Sequence, residues 1–179
     1  MSRDTHALAR RLRGHALHMT HRARASHIGS CMSMADIMAV LYGGALRFDA
    51  ARPDWPQRDR LVVSKGHAAA IVYASLAESG FFPVAELETY CTDGSRLPGH
   101  VSKTVPGIEI STGSLGHGLP AAGMPGECIV RGEIAQREAQ PSLRAVRQGH
   151  VVFAGGQTPE FVAHAAPAPA CPRKPFTIG

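Results

Sequence analysis

Residues 58–69 read RDRLVVSKGHAA, and the reading of this stretch decides the fold. The run Leu61-Val62-Val63-Ser64, bounded by charge on its N-terminal side, predicts a short buried strand. From residue 67 to residue 79 small and apolar residues predict a helix, which Gly80 ends. A strand that passes through Ser64-Lys65-Gly66 into a helix is the repeating unit of a layered α/β fold. It also sets His67 at the carboxyl end of a strand and the start of a helix, where free backbone N–H groups favour an anion.

Working outward, residues 4–24 carry Leu8, Leu12, Ala16, Met19 and Ala23 at helical spacing and predict an amphipathic helix. SHIGS at 26–30 breaks it. Ser33 is read as the N-cap of a second, apolar helix over 34–46, with Asp36 as its capping-box partner. Residues 47–59 form a loop, and Pro83 opens a short helix over 83–91. The chain is then loop-like over 92–112, with Gly94, Pro98, Gly99, Pro106 and Gly107 as punctuation. GSLGHGLPAAGM at 113–124 reads as a glycine-rich turn entering a small-residue helix. Beyond it the character changes: seven of the thirteen prolines fall after residue 124. Residues 126–148 read as a polar helix interrupted by Pro141, 151–154 as a short strand, and the last fifteen or so as disordered. The expected organisation is a domain over 1–124 and a divergent, weakly structured tail over 125–179.

Composition bounds the function. The chain has 179 residues, 44% hydrophobic and 18% charged, the proportions of an ordinary globular domain. No apolar run is expected to approach the roughly 18 to 20 residues that span a bilayer. The charged, broken N-terminus lacks a signal peptide's apolar core, which gives a cytoplasmic expectation with no membrane partner. The formal charge of +5 comes almost wholly from arginine. Zinc-finger spacings, RNP-like aromatics and dense basic blocks are absent, so no nucleic-acid partner is expected. Cys31, Cys91, Cys128 and Cys171 form no CxxC pair and read as free thiols, with Cys31 and Cys91 as buried apolar residues.

Histidine is the informative residue type. Three of the ten sit in glycine-punctuated loops: Ser26-His27-Ile28-Gly29, Ser64-Lys65-Gly66-His67 and Pro98-Gly99-His100. Glycine beside a histidine lets backbone approach a ligand that the imidazole can reach. An imidazole can donate to phosphate oxygens, polarise a carbonyl or relay a proton near neutral pH. His15, His18 and His21 recur along the first helix, but no carboxylate or cysteine completes a metal set there, and they read as a solvated face.

SHIGS with the apolar helix after it, RDRLVVSKGHAA, RLPGH and EISTGSLGHG stand in the order and spacing of transketolase N-terminal regions. The chain resembles that family, most closely its split, two-subunit form. The resemblance implies an α/β thiamine-diphosphate-binding fold, a parallel sheet with helices on both faces, incomplete here at the C-terminal side. It implies the cofactors thiamine diphosphate and Mg²⁺, and transfer of a two-carbon ketol unit between sugar phosphates. It further implies a homo- or hetero-oligomer with a C-terminal transketolase-type subunit, which carries the carboxylate that activates the cofactor. Carried over by position, His27 and His100 are catalytic, facing the substrate, although Val101 stands where the family often has proline. His67 contacts the cofactor diphosphate, and Gly113, Ser114 and Leu115 form the turn that faces the aminopyrimidine. His117 stands where glutamine is common.

The family holds its metal with a Gly-Asp-Gly turn and a later asparagine, hard oxygen donors suited to Mg²⁺. This chain has no asparagine and no aspartate after Asp93, so no metal ligand is assigned. Pro125-Gly126-Glu127-Cys128 is the nearest remnant, and a truncation or frameshift near Met124 is the expectation. Two other functions stay open: a catalytically inactive relic or interaction module without cofactor, and a related synthase that condenses pyruvate with glyceraldehyde phosphate.

Overall fold

The structure is a computed structural model that describes residues 4–118, 151–154 and 160–163. The expected 126–148 helix, the Pro125–Cys128 remnant, Cys128, Cys171 and the terminal stretch lie outside the described residues.

Helix α1 spans Thr5–Arg22, and Asp4 caps it by accepting the backbone N–H groups of His6 and Ala7 at 3.0 and 3.1 Å. Its apolar stripe is the expected one, with Leu8, Leu12, Ala16 and Met19 buried. Helix α2 spans Ile28–Val40, six residues earlier than the sequence reading places its start. Ser33 is not its cap. It lies inside the helix, its hydroxyl donating to the Ser30 carbonyl at 2.9 Å, while Asp36 pairs with Arg13 of α1 at 2.5 Å. A serine inside a helix can satisfy its hydroxyl on the preceding turn, so its presence alone does not mark a start.

A π-helical turn over Leu41–Ala45 continues α2, and Gly44 at φ 156° ends it. The combined stretch Ile28–Ala45 has 18 residues at a hydropathy of 1.3, long and apolar enough to cross a bilayer by length and composition, contrary to expectation. Cys31, Met34, Ala35, Met38 and Ala39 are nevertheless buried, packed with α1 and α3 as in a core helix. Helix α3, Ala69–Glu78, follows a 3₁₀ turn over Gly66–Ala68 and is buried from Ala69 to Ala77. It ends at Ser79 and Gly80, the latter at φ 90°, where sequence places the stop. The proline-led segment is a 3₁₀ helix over Val84–Thr89.

Strand β1, Leu61–Val63, is buried along its length and pairs in parallel with β2, Val151–Ala154. Strand β2 pairs antiparallel with β3, Glu160–Ala163, so the described sheet is small and mixed, in the order β1-β2-β3. The described residues are mostly helical. Their core is one cluster in which Leu8, Leu12, Met34, Met38, Ile71, Tyr73, Leu76 and Leu97 are fully enclosed. Three helices packed on one another thus form a rigid platform, and the loops between them carry the histidines.

Candidate active site

The three loop histidines, far apart in sequence, meet. The rings of His27 and His67 lie 5.1 Å apart and those of His27 and His100 5.8 Å apart, each pair edge to face. His27 holds the left-handed conformation, φ 75°, at the step into α2. For a residue with a Cβ that conformation costs about 1 kcal/mol, a local strain of the sort that concentrates at functional sites. The strain turns the chain from α1 into α2 within a few residues and leaves the imidazole beside its two partners.

His67 sits on the 3₁₀ turn after β1, and its Nε2 lies 2.7 Å from the Ser30 hydroxyl. One residue pair away, Lys65 Nζ donates to the Ser33 hydroxyl at 2.8 Å. Ser30 and Ser33 are one helical turn apart on α2, so the Ser-Lys-Gly-His loop is tied to that helix at two points. Sequence reasoning passed over Ser30 and took Ser33 only as a helix cap, although their spacing after His27 was the available signal. Burial lowers the affinity of His67 for a proton, and the neighbouring His27, Lys65 and His100 lower it further. Burial likewise pushes the Lys65 ammonium below its ordinary value.

His100 is fixed from behind. Its carbonyl accepts the Tyr73 hydroxyl at 2.7 Å, and the next residue, Val101, donates to the Gly66 carbonyl at 2.9 Å. Val101 also accepts from the Thr112 N–H at 3.1 Å, which brings in the Gly113-Ser114-Leu115 turn. That turn is laid along β1 by a row of contacts. Arg60 donates to Glu109 at 2.7 Å, Thr112 to the Val63 carbonyl at 2.5 Å, and the Gly118 N–H to the Ser64 hydroxyl at 3.0 Å. Gly118 is obligatory, since a Cβ there would lie 2.6 Å from the Ser64 Cβ. A Cβ at Gly113 would touch the His100 ring at 3.4 Å, so turn and imidazole are direct neighbours. Leu115 projects outward and is 61% exposed, while Ser114 and His117 lie on the exposed turn.

Of the six residues picked from sequence, His27, His67, His100 and Gly113 therefore share one locality, and Ser114 and Leu115 stand exposed on the turn at its edge. The side chains gathered here, His27, His67, His100, Lys65 and the hydroxyls of Ser30 and Ser33, can all donate hydrogen bonds, a set that suits a polyphosphate anion. Among the described residues no three His, Cys, Asp or Glu side chains gather as a metal would require. Two of the three helical histidines have carboxylate partners instead: His15 Nε2 meets Glu78 at 2.9 Å and His18 meets Glu88 at 3.3 Å. Cys31 is buried, as expected. Cys91 is exposed, contrary to expectation, because the chain turns through φ 56° there just after the 3₁₀ segment.

Residues 4–171 match the family model described as transketolase, thiamine diphosphate binding domain. Transketolase 2 of Xanthobacter flavus is 40% identical over 158 residues, which are 87% of this chain and 23% of that protein. A 6-deoxy-6-sulfo-D-fructose transketolase subunit of Clostridium sp. (strain MSTE9) is 45% identical over 98 residues, 54% of this chain and 35% of that one. Among solved structures, transketolase from Leishmania mexicana matches with a TM-score of 0.63 at 35% identity, over 68% of this chain and 18% of its own. The chain spans between 18% and 35% of the length of these relatives.

Proposed function

Because the chain belongs to the transketolase thiamine-diphosphate-binding family, we propose that it supplies the histidine half of a ketol-transfer site. The observation that supports this most directly is that His67 and His100 both meet His27, ring against ring. In this reading the full fold is a parallel sheet with helices on both faces, of which β1 and β2 are one pair. A C-terminal transketolase-type subunit completes the site, as sugar phosphates exchange a two-carbon ketol unit.

His67, with Lys65 beside it, binds the diphosphate of thiamine diphosphate. A cation and an imidazole held by serine hydroxyls meet phosphate oxygens without first reorganising. Gly113, Ser114 and Leu115 supply the turn toward the aminopyrimidine. These basic groups are the wrong chemistry for Mg²⁺, whose hard oxygen ligands would have to come from elsewhere. When bound, the cofactor supplies the carbanion chemistry that breaks and forms the carbon–carbon bond. His27 and His100 hydrogen-bond to the substrate oxygens at the reacting carbon and carry the proton that moves there.

Isothermal titration with thiamine diphosphate and Mg²⁺, on the chain alone and with a C-terminal transketolase subunit, tests the reading. Saturable heat that falls at least tenfold in affinity in His67→Ala is expected. No heat in either sample would overturn it, and with it the assignment of an enzyme subunit. Formation of sedoheptulose phosphate from xylulose and ribose phosphates by the pair then tests the substrate class.

A further inference from the structure

The histidine that the third loop presents is held by a residue outside all the sequence motifs. Tyr73 lies in the middle of α3 and is fully buried, 0% exposed. Its hydroxyl donates to the His100 carbonyl at 2.7 Å. The phenol therefore bridges α3 and the loop at the residue that carries the imidazole. On the opposite side, Val101 is pinned to Gly66 and Thr112. The His100 ring is then confined between Gly113 and His27.

The bridge is not a by-product of burial. A buried hydroxyl without partners costs about 1–3 kcal/mol, and phenylalanine would fill the same volume without that penalty. The ring itself is already anchored against Tyr90, at a centroid distance of 6.2 Å. What the oxygen adds is the loop contact. A hydrogen bond in so enclosed a place also resists exchange with water, so it holds the loop when the ring of His100 is pushed.

We infer that Tyr73 is a positioning residue, whose hydroxyl holds the 100–102 loop so that the His100 imidazole stays against His27. Its catalytic consequence rests on the ketol-transfer reading above, whereas the positioning itself does not. The test is therefore spectroscopic and made on the full chain without cofactor. In Tyr73→Phe, at fixed pH, the Hε1 resonance of His100 moves and the cross-peak between the His27 and His100 rings is lost. The His15 resonances and a cooperative melt are retained. An unchanged His100 resonance and an intact cross-peak would overturn the inference, leaving Tyr73 as core alone. Should Tyr73→Phe not fold, 3-fluorotyrosine incorporation into the unaltered chain replaces it, since it keeps the volume and makes the donor more acidic. The His100 carbonyl carbon is then expected to shift, and its constancy would refute the bridge. If the resonances behave as expected but no cofactor heat is seen, the positioning stands and the proposed reaction fails.

Discussion

Gly66 and Thr112 are in backbone contact: a Cβ on Gly66 would lie 2.0 Å from the Thr112 carbonyl oxygen. The obstacle is main chain whose own N–H donates to the Val101 carbonyl, and the Thr112 hydroxyl donates to the Val63 carbonyl, so the residue cannot turn aside. Gly66→Ala is expected to cost about 3 kcal/mol or more, at the upper end of overpacking penalties. Urea unfolding monitored by circular dichroism checks this, and a loss near zero would mean that the two loops are not apposed.

Glu109 is enclosed between Arg58, itself 7% exposed, and Arg60. Removing the carboxylate leaves a buried guanidinium without its counter-charge. Glu109→Ala should therefore destabilise by about 3–5 kcal/mol, whereas Arg60→Ala, whose side chain reaches solvent, should cost about 1 kcal/mol or less. Equal losses in the two variants, read from denaturant midpoints, would contradict the asymmetry.

His67 gives a pH dependence with a definite sign. Its native proton affinity lies below the ordinary value of 6.5, first through burial and then through His27, Lys65 and His100. Above pH 6.5 it is neutral in both folded and unfolded chains and contributes no slope. As pH falls below 6.5 the unfolded chain takes up the proton first, so stability drops until the native value is passed. His67→Gln should flatten that limb of the curve of stability against pH. An anion beside the ring raises its native value again, so added pyrophosphate should shrink the limb in the unaltered chain.

Glu78 behaves in the opposite sense. Burial raises its proton affinity, but hydrogen bonds from His15 and Arg11 outweigh this and leave the carboxyl below its ordinary 4.5. The stabilisation is present above pH 4.5 and is lost as pH falls through the lowered native value. Glu78→Gln should cost about 1 kcal/mol at pH 7 and progressively less in acid. A constant difference across that range, followed by thermal melts, would remove the carboxylate's charge from the explanation.

The residues that were legible in sequence were those whose role is local. Leu8, Leu12, Ala16 and Met19 declare a helix face by spacing, and Leu61–Val63 declare a buried strand by branching and bounds. The glycine-flanked histidines declare loops that can reach a ligand. What escaped depends on partners far along the chain or on backbone angles. The left-handed turn at His27 starts α2 without any capping side chain, so the serine at 33 drew the start too late. The hydroxyl of Tyr73 meets position 100 and the carboxylate of Glu109 meets positions 58 and 60, separations that no periodicity reveals. Cys91 was misjudged because its side chain follows a turn, not a stripe.

The pairing of Leu61 with Val151 has a consequence for the order in which the chain assembles. It closes a span of about 90 residues, whereas Thr112 reaches Val63 across 49. Closure entropy grows only with the logarithm of the span, but slow search through distant pairings still governs rate. The helices and the histidine loops can therefore condense while residues 151–154 are still emerging from the ribosome, and β1 waits longest for its neighbour. For a nascent chain, the end of the molecule that carries the three histidines is finished before its sheet is.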